Sequence, residues 1–135
     1  NSVVAEVDGE IAGALVGYPI AAEPEAIDPA STPPMWIPLL ELESIAAGTW
    51  YVNTVATFPE ARGIGLGTKL MRWAERHAHQ LGLRGVSLIV SDANQDARRL
   101  YEHLGYREAA RRAMVKEQWH NDGKNWVLMI KRATP

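Results

Sequence analysis

The chain has 135 residues, enough for one domain and short for two. Hydrophobic residues at 47% and charged residues at 22% exclude disordered, collagenous and low-complexity classes, and a formal charge of -2 argues against a dedicated nucleic-acid binder. With no cysteine, disulfides, thiolate catalysis and cysteine-ligated metals are excluded.

No apolar run approaches a membrane span and no cleavable signal stands out, so a soluble, cytoplasmic protein without membrane or nucleic-acid partners is expected. The sequence opens on Asn1-Ser2-Val3 without Met, in residues that already read as a strand, and whether an N-terminal part of the natural protein precedes it is left open.

Residues 2–7 and 10–18 are rich in Val, Ile and Ala and flank Asp8-Gly9. Asp-Gly between apolar runs predicts an antiparallel hairpin with a type I′ turn, ending near Tyr18-Pro19. Pro24, Pro29, Pro33 and Pro34 exclude regular structure from the first half of Ala21–Gly48. In its second half, Met35–Ala47 predicts a short helix with Pro38 in the first turn. On a helical wheel Trp36, Leu39 and Leu40 share a face and Glu43 projects among them. Glu43 then has two readings: a carboxylate at a wet rim, or one with a raised pKa beside a substrate.

Thr49–Thr57 is dense in β-branched and aromatic residues and predicts a strand that runs into Phe58–Thr68. A helix from about Gly67 to Leu81 follows, with Leu70, Met71, Ala74, Ala78 and Leu81 at helical spacing and Gly82 as its cap. Val86–Val90 predicts a short buried strand. Ser91-Asp92-Ala93 offers cap oxygens for a second helix through His103, with Ala97, Leu100, Tyr101 and Leu104 on one side and Gly105 as its stop. Residues 107–115 and 125–131 predict a closing strand pair, joined through Trp119–Lys124. The order implies an α/β (α+β) fold in three layers. Its sheet is mixed and mostly antiparallel, with one right-handed strand–helix–strand crossover between parallel strands.

The glycine loop carries the chemistry. Glycines between a strand and a helix start expose backbone N–H groups at the positive end of the helix dipole, which suits phosphate. A Walker loop needs Gly-Lys-Ser/Thr where this chain has Gly67-Thr68-Lys69, and a dinucleotide fingerprint needs a different glycine spacing. His77 and His79 point apart on a helix, and no metal site is predicted.

Arg62-x-x-Gly65-x-Gly67 instead resembles the pyrophosphate-binding signature of the GNAT superfamily of acyl-CoA-dependent N-acyltransferases. Asn94-x-x-Ala97-x-x-Leu100-Tyr101-x-x-Leu104-Gly105-Tyr106 resembles that family's later motif. The resemblance spans roughly Val3 to Ile130. It implies one acetyltransferase domain over 1–135, lacking the family's usual first strand and helices and carrying an insertion at 21–48. By the same resemblance, Val55, Ala56 and Thr57 offer strand backbone to the pantetheine arm. Arg62, Gly63, Ile64, Gly65, Leu66, Gly67 and Thr68 wrap the pyrophosphate, and Asn94 contacts the cofactor arm. Tyr101 protonates the departing CoA thiolate, a role open to a phenol that is protonated at neutral pH.

The implied reaction is direct attack of a primary amine of a small molecule on acetyl-CoA, with strand N–H groups polarising the carbonyl. Ile89 and Tyr51 stand where protein N-terminal and histone-type acetyltransferases carry glutamates, which weakens a protein acceptor and leaves the base open. Of Glu43, Glu41, Asp92 and His120, only Glu43 has a structural rationale. Arg98, Arg99, Arg107, Arg111 and Arg112 form either a mildly basic surface for the CoA 3′-phosphate or a solvated face. Five tryptophans in a small chain point to a homodimer. A protein acceptor and a non-catalytic acyl-CoA-binding module remain the alternatives.

Overall fold

The structure is a computed structural model that describes residues 2–7, 9–23, 26–57, 65–116 and 119–133. Strands β1 (Ser2–Val7), β2 (Glu10–Pro19), β3 (Trp50–Thr57), β4 (Gly85–Ser91), β5 (Arg107–Ala113) and β6 (Asn125–Arg132) form one sheet in the order β1-β2-β3-β4-β6-β5. Only β3 and β4 pair in parallel; every other neighbour is antiparallel. Helix α1 (Ile37–Ile45) follows a 3-10 turn at Pro34–Trp36, α2 (Leu66–Gln80) joins β3 to β4, and α3 (Gln95–His103) follows β4.

The period-two alternation of the strands sorts the core into two faces. Val127 and Met129 of β6, with Trp50, Val52, Val86, Leu88 and Val90, pack against Leu70, Met71 and Ala74 of α2 and Tyr101 of α3. Leu128, between the two β6 residues, points the other way and packs with Leu42 and Ala46 of α1. The layers are therefore α2 and α3, the sheet, and α1.

Three expectations needed correction. The buried side of α1 is Pro38, Leu42 and Ala46, while Trp36 and Leu40 are exposed. A 3-10 turn holds Trp36 ahead of the helix, while Leu40 and Glu43, which share a face on the wheel, line one cavity. Leu81 and Leu100 are also exposed rather than facing the core. Finally, α3 is capped by Asn94, whose Oδ1 accepts from Ala97 N, not by the residues before it. Ser91 Oγ accepts from Ala93 N, and Asp92 accepts from Lys124 N and Asn125 Nδ2, fastening the β4 end to β6. No helix among the described residues is long and apolar enough to cross a membrane.

Candidate functional site

The parallel pairing of β3 and β4 covers only Trp50–Val52 against Val86–Leu88. Beyond it, β3 continues with β2 as far as Thr57 and β4 continues with β6 as far as Ser91, but not with each other. The cause is local. Val16 pairs with Thr54 and Gly17 with Val52, so Asn53 is an extra residue in β3. Such a bulge bends its strand and ends pairing. It also shifts the side-chain phase, so Val52 and Val55 both face the α2 side of the sheet.

Backbone N–H and C=O groups on the facing edges of the parted strands are left available. A cleft of about 360 Å³ opens there, lined by Asn53, Thr54, Val55, Ile89, Asn94, Tyr101 and Trp126 among others. The structure thus brings together three of the residues singled out from the sequence: Val55, Asn94 and Tyr101. Tyr101 is buried, with its ring edge-on to Tyr106 at 6.1 Å, and burial alone pushes its phenol above the ordinary value.

Beside the cleft α2 begins. Gly65 is its N-cap at φ +79°, a left-handed conformation that a side chain would strain, and among the described residues no side chain caps the first turn. Leu66 is buried against Ala12, which seats the turn on β2. Among the described residues a Cβ at Gly67 would meet only Leu100 Cδ2 at 4.0 Å, so no packing seen there demands a glycine. The first-turn N–H groups of Leu66, Gly67 and Thr68 form a donor set that fits a phosphate group. Arg62, Gly63 and Ile64 lie outside the described residues, as does the side chain of Thr57, whose backbone closes β3; Ala56 is exposed and paired with Ala14.

Of the four candidate bases, two are tied up elsewhere. Asp92 holds the β4–β6 junction; its own desolvation notwithstanding, the hydrogen bonds from Lys124 and Asn125 keep its carboxyl below the ordinary range. His120 pairs with Asp122 at 3.0 Å on an exposed loop. Glu43 is partly buried, and its Oε1 accepts from the Tyr18 hydroxyl at 2.5 Å.

Tyr18 and Tyr51 lie side by side on β2 and β3, with ring centroids 5.4 Å apart. Burial, with the Glu43 charge adding to it, pushes the Tyr51 phenol up to about 12 and raises that of Tyr18 as well. Tyr18, Leu40 and Glu43 line a second, open cavity of about 530 Å³, together with Ile27, Asp28 and Ser31. Neither tyrosine was singled out as a neighbour of Glu43, because a cross-strand pair between residues 18 and 51 leaves no local trace. The arginines of the expected basic surface are partly spent within the chain: Arg111 and Arg98 meet Glu108 at 2.6 and 3.5 Å, and Arg99 meets Asp96 at 3.6 Å.

The family model described as "Acetyltransferase (GNAT) family" matches residues 1–106. The chain belongs to the GNAT acetyltransferase family. An uncharacterized N-acetyltransferase of Methanocaldococcus jannaschii is 28% identical over 130 residues, covering 96% of this chain and 64% of that protein. A mycothiol acetyltransferase of Thermomonospora curvata is 42% identical over 55 residues, covering 41% of this chain and 18% of the relative. The chain therefore spans less than two thirds of the length of either.

Among solved structures, the ribosomal-protein-S18-alanine N-acetyltransferase of Escherichia coli superposes with a TM-score of 0.68 at 18% identity, over 100% of this chain and 70% of that one. A putative streptothricin acetyltransferase of Bacillus anthracis, solved in complex with acetyl coenzyme A, superposes with a TM-score of 0.68 at 14% identity, over 97% and 61%. Both carry the GNAT fold. Among the described residues no group of three or more His, Asp or Glu is placed to hold a metal ion.

Proposed function

We propose that residues 1–135 work as one acetyltransferase domain that moves an acetyl group from acetyl-CoA to a primary amine of a small molecule. The observation that carries this is the convergence of Val55, Asn94 and Tyr101 on the cleft where β3 and β4 part, beside an uncapped helix start. Acetyl-CoA supplies an activated thioester; the rest is done by the chain. The first turn of α2, with Arg62, Gly63 and Ile64 before it, holds the pyrophosphate. Free N–H groups on the β3 edge, over Val55, Ala56 and Thr57, draw charge onto the carbonyl oxygen as the amine nitrogen bonds to its carbon. As the C–S bond breaks, Tyr101 gives its proton to the sulfur, and Glu43 takes the proton the amine must lose. The proton on Glu43 leaves to solvent and the phenol is reprotonated from solvent, which closes the cycle.

A small acceptor is favoured over a protein by the open cavity that Tyr18, Leu40, Glu43 and Asp28 line. Its volume of about 530 Å³ is of a size that suits a small ligand. The mycothiol acetyltransferases among the relatives point the same way. A homodimer is supported by Val4, Ile11 and Val16, exposed on the sheet face that α1 leaves open, and sedimentation tests it. A cytoplasmic location is the setting in which acetyl-CoA would be at hand.

The test is a thermal melt with acetyl-CoA, run on the wild type and on Gly65→Glu. Ligand at roughly 100 times its dissociation constant stabilises by about 2.7 kcal/mol, or about 8–11 °C for a domain of this size. A rise lost in the variant supports the cofactor site, and no rise in folded wild type removes it. Release of CoA is then followed with small amines and with peptides. Because the chain has no cysteine, a thiol reagent reads only the product.

A further inference from the structure

We propose that a cavity at the far end of α2 from Gly65 is a binding site for a small organic anion carrying a phosphoryl group. The cavity, of about 550 Å³, lies between the later turns of α2, the start of β4 and the end of β6. Arg72 and Arg76 of α2 and Lys131 and Arg132 of β6 line it, against one carboxylate among the described residues, that of Glu75. On a chain whose formal charge is -2, that surplus is local.

Glu75 is already fully engaged. Its Oε1 accepts from Arg72 Nη1 at 2.7 Å and from Lys131 Nζ at 2.9 Å, and its Oε2 from the Tyr106 hydroxyl at 3.1 Å. Two cations sharing one oxygen lie within about 6 Å of each other, and a single carboxylate charge cannot neutralise both. Arg76 and Arg132 are exposed and make no ion pair among the described residues.

The helix dipole does not explain the cluster. It favours cations only in the last turn, whereas Arg72 lies mid-helix and Lys131 and Arg132 belong to another element. Guanidinium forks match the oxygens of a phosphoryl dianion, and the cavity volume of about 550 Å³ leaves room for an organic body attached to it. The site is separate from the glycine loop: ten residues of helix from Leu66 to Arg76 span about 15 Å.

The experiment is an amide NMR titration of the whole chain with phenyl phosphate and with inorganic phosphate. Phenol and sodium chloride at matched ionic strength serve as controls, each arm with and without acetyl-CoA. The expected result is saturable shifts at Gly85 and residues 131–133 that persist with acetyl-CoA present. Phenyl phosphate should bind tighter than phosphate. Arg76→Ala with Arg132→Ala, both exposed, should weaken binding at least about tenfold. Shifts that never saturate, that sodium chloride reproduces, or that the double substitution leaves unchanged overturn the proposal. So do shifts confined to residues 65–68 and abolished by acetyl-CoA, which would assign the phosphate to the helix start.

Discussion

The Tyr18 hydroxyl donates to Glu43 Oε1 at 2.5 Å and ties β2 to α1 across 25 residues of chain. A phenol whose proton is held this firmly is a fixed donor, so it orients the carboxylate toward the cavity they share. Tyr18→Phe keeps the ring beside Tyr51 and removes only that donor. Hydrogen bonds to charged groups are worth about 1.5–3 kcal/mol, so the KM of an accepted amine should rise about tenfold or more while acetyl-CoA affinity stays put. In a cycle with Glu43→Gln the two losses should not add. Additive losses, or a change confined to acetyl-CoA binding, would detach Tyr18 from the acceptor side.

Alkaline pH should unfold the protein early. The phenols of Tyr18, Tyr51, Tyr101 and Tyr106 are all raised, with burial the leading cause in each. A raised folded-state value means the native form keeps protons that the unfolded form gives up. The associated stability is intact below about pH 10 and declines as pH climbs through the folded values. For Tyr51, held up to about 12, the loss between pH 10 and 12 is about 2–3 kcal/mol. Denaturant melts at stepped pH, with phenolate absorbance recorded alongside, should show ionisation and unfolding arriving together. Phenolate signal near pH 10 in a still-folded protein would contradict these environments.

Tyr101→Phe separates chemistry from architecture. Its hydroxyl is subject to desolvation alone, so the loss should leave the melting temperature nearly unchanged. A proton donor of this kind contributes about 10²–10⁴ in rate, and kcat should fall by that order with acetyl-CoA affinity kept. Unchanged turnover would remove Tyr101 from the proposed role.

Gly17 tests the packing that supports the cleft. A Cβ there would meet the Trp50 ring and the Tyr51 carbonyl oxygen at 2.5 Å. Trp50 is fully buried, stands edge-on to Trp73, and begins the three-residue seam between β3 and β4. Gly17→Ala should cost about 1–3 kcal/mol in urea melts, and a neutral result would mean that β2 yields more readily than a packed sheet should.

Much of this was legible along the chain because it is encoded locally. Asp8-Gly9 marked the hairpin, Leu70, Met71, Ala74 and Ala78 marked the inner side of α2, and Gly65 and Tyr101 fell on the elements assigned to them. What stayed hidden depends on partners far away in sequence. Placing β6 between β4 and β5 is a choice of neighbour that no periodicity records. The bulge left one faint sign, an asparagine inside a β-branched run. The Tyr18–Glu43 pair left none, although the wheel did put Glu43 beside Leu40, and both line one cavity.

The short β3–β4 seam has a mechanical consequence. It divides the sheet into two leaves, β1–β2–β3 and β4–β6–β5, joined at three residue pairs. Two straps cross the seam. On one side α2 spans it, and on the other α1, which grows from the first leaf, packs Leu42 and Ala46 on Leu128 of the second while Arg84 grips the carbonyls of Ile45 and Ala47. The leaves are thus joined at the base by the seam and by both straps, and parted at the rim where the cleft opens.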